Sequence, residues 1–121
     1  MVVALIVVGI IWFDDWSSSG KMDIYIRRHS NPDYTPRLLL VLGKAYAMAQ
    51  QPQTATRYFL WLLEDFPDSS HVPSARFHLA QCYEDMGERP KAMQQYILLK
   101  DSYPDTSYGR TAQRRWEYSR Y

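Results

Sequence analysis

The sequence is poor in cysteine, glycine and net charge. Its one cysteine, Cys82, has no second thiol in these 121 residues with which to close a disulfide. Its five glycines are scattered, so no Gly-rich phosphate loop forms, and no Gly-x-Ser-x-Gly elbow or zinc-type Cys/His spacing is found. Fourteen Lys and Arg against thirteen Asp and Glu leave a formal charge of +1. That balance removes any whole-surface attraction to nucleic acid or acidic lipid.

Metal and acid–base chemistry are equally short of parts. The histidines are His29, His71 and His78. His78 and Cys82 stand four apart on a helical pattern and share one face, but no third ligand has matching spacing. Glu64 with Asp65, and Glu84 with Asp85, are adjacent pairs, which point apart on a helix. The expectation is a chain without catalytic residues, metal site or cofactor, and with no nucleic-acid or small-molecule partner. Arg110, Arg114 and Arg115, interleaved with Tyr108, Trp116 and Tyr118, make a small basic stripe that reads as a solvated cap face.

What the chain does have is, first, an apolar start. Met1 to Phe13 (MVVALIVVGIIWF) is unbroken by any charge. As a helix it would be roughly 20 Å long, short of the roughly 30 Å of a bilayer core. Trp12 and Trp16 bracket Asp14 and Asp15, the pattern of an interfacial end. No basic residue precedes Val2 and no small-residue cleavage site follows Trp12, so a retained segment is expected rather than a secretory signal. Residues 1–16 therefore read as a membrane anchor or docking helix, with Val2, Leu5, Val8, Ile11, Trp12 and Trp16 as its contacts. Residues 17–34 read as a linker: Ser17 to Gly20 is a flexible joint, and Met22 to Arg28 a short strand or single turn. Lys21, Arg27 and Arg28 close behind the apolar run lean to a cytoplasmic face.

The second and stronger feature is a repeat. A shift of 37 residues places Leu42 on Leu79, Tyr46 on Tyr83, Ala55 on Ala92 and Leu62 on Leu99. Pro67, Asp68 and Ser70 fall on Pro104, Asp105 and Ser107, and Gly43, Phe59 and Phe66 on Ala80, Tyr96 and Tyr103. A period in this range marks a solenoid, whose units bury their apolar faces on one another. Helical spacing predicts a first pair over about 36–49 and 54–65, with Leu39, Leu42, Tyr46 and Ala49 facing Ala55, Phe59, Leu62 and Leu63. Thr35 is placed to cap the first helix, with Pro36 in its first turn. A second pair follows over about 73–86 and 90–102. Its inner residues are Phe77, Leu79, Ala80 and Tyr83 on one helix and Ala92, Tyr96 and Leu99 on the other, and Gly87 closes the first helix. A fifth helix, from Ser107 onward, has no second half and reads as a cap.

Leu42-Gly43, Tyr46, Ala55, Phe59 and Pro67, echoed by Leu79-Ala80, Tyr83, Ala92, Tyr96 and Pro104, resemble the tetratricopeptide repeat over residues 36–121. The FPDSS and YPDTS joints resemble a bacterial branch that includes the Tol–Pal coordinator and the outer-membrane-assembly lipoprotein. The resemblance implies an all-α solenoid over 35–121. It comprises two antiparallel helix pairs (about 36–70 and 73–107) and a capping helix at 107–121, preceded by the apolar N-terminal helix. It implies a protein–protein interaction module whose concave groove is lined by the first helix of each pair. Carried onto this sequence, those positions are Arg37, Leu40, Lys44 and Ala47; Phe77, Gln81, Glu84 and Asp85; and Arg114, Tyr118 and Tyr121. The expected role is an adaptor or scaffold at a bacterial membrane, the inner membrane foremost, with the resemblance favouring its periplasmic face. The alternative is a permanent accessory subunit of a large membrane complex. In either case the partners are other proteins, integral membrane subunits first among them.

Overall fold

A computed structural model describes residues 2–5, 8 and 20–119. All regular structure among the described residues is helical. Two compact units divide the chain, Met1–Asn31 and Pro32–Tyr121.

In the first unit, residues 2–5 and 8 are helical, and Val2, Leu5 and Val8 are exposed by 62–71%. Ile11, Trp12 and Trp16 lie outside the described residues, as does most of the proposed anchor. Among the described residues no helix is long and apolar enough to cross a membrane. The stretch read as a strand or single turn is instead a two-turn helix, α1 (Lys21–Arg28). Asp23 in its first turn and Arg27 and Arg28 in its last complement the helix dipole, a local signal that outweighs the alternation of Ile24 and Ile26.

The second unit is the repeat. Its helices are α2 (Thr35–Met48), α3 (Pro52–Asp65), α4 (Val72–Asp85), α5 (Arg89–Ser102) and α6 (Ser107–Ser119). The bounds of α2 and α3 recur in α4 and α5 with the offset of 37 residues kept at every end. Each of these four helices carries a proline within its first two residues, where the missing N–H costs nothing: Pro36, Pro52, Pro73 and Pro90. Thr35 is not the cap that was expected. It is the first residue of α2 and buried, and Tyr34 takes the cap position with no side-chain hydrogen bond to the helix's first turn. Pro36 at the second position accounts for this: its fixed φ suits the helix and draws the start back by one residue.

Within the repeat unit each helix packs on the next, and α4 also packs on both α2 and α6. The first helices of the pairs therefore stand side by side and line one face. The core follows the repeat: Leu39, Ala55, Phe59, Leu62, Ala75, Leu79, Ala80, Ala92, Tyr96, Leu99 and Ala112 are all fully buried. Gly43 permits the close approach of α2 and α3, since a Cβ there would run into the Phe59 ring. Arg76 on α4 donates from Nη1 to Gln95 Oε1 on α5 at 2.9 Å and ties the second pair. Ala49, read as part of the inner stripe, is exposed because the helix has ended and Ala49 is its C-cap. Tyr58 and Trp61 are buried although the periodicity placed neither in the core. Tyr58 stacks on Tyr46 with centroids 5.5 Å apart, and Trp61 Nε1 donates to Asp65 Oδ2 at 2.8 Å.

Candidate functional site

A wide cleft of the repeat unit lies where the C-terminal end of α4, the start of α5 and the outer half of α6 meet. It encloses about 880 Å³ and is lined by Glu84, Gly87, Arg89, Met93, Thr111, Arg114, Arg115, Tyr118 and Ser119. Its shape follows from the turn at Gly87. That glycine holds φ 76°, which lets α5 leave α4 sharply and opens a gap that α6 only partly closes.

The polar lining is lopsided: three guanidinium groups, from Arg89, Arg114 and Arg115, against one carboxylate, Glu84. Arg115 Nη1 lies 3.0 Å from Glu84 Oε2 and joins α6 to α4. Arg114 Nη2 is 3.3 Å from Thr111 Oγ1 on its own helix. Beside the ion pair, the Arg115 guanidinium lies 5.8 Å from the Tyr96 ring centroid. The Tyr96 hydroxyl is buried, and no hydrogen bond of good geometry reaches it among the described residues. Burial first, then the charge of Glu84, pushes the Tyr96 hydroxyl well above the usual phenol range, with Arg115 opposing. Such a hydroxyl stays protonated and can only donate or accept a hydrogen bond.

Further along α4 lies an aromatic row. Phe77 sits 5.4 Å from Tyr108 of α6 and 6.3 Å from Tyr96 of α5. His78 stacks on Phe59 of α3 at 6.0 Å, and its Nδ1 lies 3.2 Å from Gln81 Oε1. Burial, then the positive charge of Lys44, lowers the His78 pKa below 6.5, against the bond to Gln81. Cys82 is buried, and burial followed by the charge of Asp85 pushes its thiol up to about 11, despite a hydrogen bond with Thr56. Among the described residues no three His, Cys, Asp or Glu side chains gather as a metal site.

The structure thus distributes the sequence-derived groove residues. Glu84, Arg114 and Tyr118 come together around the cleft. Phe77 and Gln81 are half-buried on α4 outside it, engaged with aromatic neighbours and His78. Arg37 and Lys44 are exposed on α2, whereas Leu40 is buried at 8% exposure and is not presented. Ala47 is half-buried and Asp85 exposed, and Tyr121 lies outside the described residues. Arg89 and Met93 escaped the sequence reading because it left the second helix of each pair out of the groove, and Arg115 because it was read as part of a solvated stripe on the cap. The signal for Arg89 was present in Gly87: a turn that tight puts the next basic residue on the rim of the same gap.

Comparison with known families matches the tetratricopeptide repeat to residues 74–106, which span α4, α5 and the turn after them. This supports a tetratricopeptide repeat protein. The matched segment is the second pair, and the first pair repeats it in bounds and in packing. Tetratricopeptide repeats mediate protein–protein interaction, in keeping with a non-catalytic adaptor. The match reaches the repeat and not the narrower Tol–Pal or outer-membrane-assembly branch. No curated protein matches the chain.

Proposed function

We propose that this chain is a tetratricopeptide adaptor that holds a segment of another protein in the cleft bounded by Glu84, Arg114 and Tyr118. The cleft itself carries the reading. It is large enough for several side chains, and its rim offers three guanidinium groups against one carboxylate. Arginine presents a planar fork to carboxylates, so an acidic peptide is the favoured occupant. Met93 and Tyr118 add apolar surface to the lining.

We further propose that residues 1–16 tie the adaptor to a bacterial inner membrane, directly or by docking on integral membrane subunits. The apolar run supports this, as does the exposure of Val2, Val3, Leu5 and Val8 by 62–74%. The same exposure favours the second reading, a permanent accessory subunit of a membrane assembly.

One experiment tests both. The full chain and its Arg114→Glu variant are extracted in mild detergent from native membranes, and the co-migrating proteins are identified by mass spectrometry. Loss of one partner from the variant, the rest unchanged, supports the adaptor. Identical partners at fixed stoichiometry in both sink the cleft as the contact and favour the permanent subunit. Migration of both as a small free species defeats the membrane tie.

A further inference from the structure

The repeat supplies an internal comparison for a surface that the cleft does not involve. On α4, the face formed by Ala75, His78 and Cys82 is covered by the preceding helix. Ala75 and Cys82 are buried, and His78 stacks on Phe59 of α3. On α6 the same positions are Ala112, Arg115 and Ser119; α5 covers the first, and the other two line the cleft. Ala112 is fully buried and Arg115 lies over Tyr96. On α2 the same positions are Leu38, Val41 and Ala45, continued by Met48. Here the face is open: Leu38 is exposed by 38%, Val41 by 55% and Met48 by 83%, and Ala45 is exposed too.

The uncovered face is more apolar than its covered counterparts. Its residues follow one another at intervals of three, four and three, the spacing of a seam made for another helix. A continuous apolar stripe of this kind marks an interaction site. Its edge gives the sign of the partner. Arg37 and Lys44 flank the stripe on one side, both exposed and in no ion pair among the described residues, and α2 holds no acidic residue at all. A second α2 packed antiparallel on the first would set these cations against their own kind. A helix with carboxylates along its edge would meet them favourably.

We propose that the Leu38–Val41–Ala45–Met48 face of α2 docks an amphipathic helix of another protein, one whose apolar ridge is edged by acidic residues. The docked helix takes the place before α2 that α3 takes before α4. The surface is separate from the cleft, so a partner can occupy each.

The test uses α3 itself as the probe, since that sequence already covers the equivalent face of α4. Two labelled peptides of residues 52–66 are titrated into the full chain. One carries Gln53→Glu and Arg57→Glu, the other Gln53→Lys and Glu64→Lys. The acidic peptide should bind roughly tenfold tighter than the basic one, with the gap closing as salt rises. Val41→Glu in the full chain should weaken the acidic peptide by a similar factor. Met48→Glu, at a more exposed position, should do likewise and carries the test if circular dichroism shows Val41→Glu to be misfolded. Binding unchanged by both variants, no saturable binding of either peptide, or no preference for acid would overturn the proposal. So would a concentration-dependent dimer in light scattering that Val41→Glu dissolves, because the occupant would then be a second copy.

Discussion

Gln50 and Gly87 hold the same backbone conformation at the same point of successive repeats, with φ 63° and 76°. Each closes its helix by the same pair of hydrogen bonds. Gln50 N–H reaches Ala47 O at 3.2 Å and Gln51 N–H reaches Tyr46 O at 2.9 Å. Gly87 N–H reaches Glu84 O at 3.0 Å and Glu88 N–H reaches Tyr83 O at 2.7 Å. These are the two bonds of a Schellman closure. Glycine enters the left-handed region freely, whereas a side chain there costs about 1 kcal/mol or more. Gln50→Gly should therefore raise stability by about 1 kcal/mol and the melting temperature by roughly 4–8 °C. Gly87→Ala should lower it by a similar amount. Thermal melts of the two variants check both signs.

Gly43 and Phe59 set the spacing of the first pair. A Cβ at residue 43 collides with a ring that is fully buried and cannot swing away. Gly43→Leu should cost roughly 2–3 kcal/mol by overpacking, read as a lower denaturation midpoint in urea.

Tyr96 places its hydroxyl where Phe59 of the first pair has none, and that hydroxyl is buried without a good hydrogen bond. Leaving such a group unsatisfied costs about 1–3 kcal/mol. Tyr96→Phe should leave stability unchanged or raise it by about 1 kcal/mol. A clear loss in the same urea titration would show that the hydroxyl is held through Glu84 or Arg115.

His78 is held neutral, by burial and then by Lys44, with its pKa below 6.5. The unfolded chain therefore binds more protons than the folded one as pH falls through about 6.5. Stability should decline over that range and level off only below the lowered folded value. The groups about the imidazole are Phe59, Phe77, Gln81, Lys44 and Tyr108. His78→Phe should flatten the dependence, as measured by melts from pH 7.5 to 5.5.

Cys82 is buried with its thiol at about 11, so at pH 8 it is almost wholly protonated. A disulfide reagent should modify the folded chain slowly and the denatured chain at the rate of an ordinary thiol. Fast modification of the folded chain would mean that α3 and α4 separate readily.

The repeat made most of the fold legible. Identical residues at a fixed offset predict identical environments, and Ala55 with Ala92, or Leu62 with Leu99, are buried alike. Legibility failed where the repeats differ. Tyr58 and Trp61 are buried while their counterparts Gln95 and Leu98 are half-buried and exposed. A pattern averaged over two copies cannot announce a feature of one. The candidate site was half legible for a related reason. Glu84, Arg114 and Tyr118 follow from helix positions, whereas Arg89 and Arg115 enter through the turn at Gly87 and the ion pair across to α4. Those are tertiary facts with no periodicity to betray them. The apolar alternation of Met22, Ile24 and Ile26 misled because two turns of helix are too short for period alone to decide.

The two ends of the array are chemically unlike. On α6, Gln113 and Glu117 stand at the places of Arg76 and the fully buried Ala80, and they bond to each other at 2.7 Å while exposed. A further helix laid on that side would have to strip water from both. The α2 end offers an oily strip that water gains little by wetting. A helix laid ahead of α2 would therefore meet a drier face than one laid behind α6.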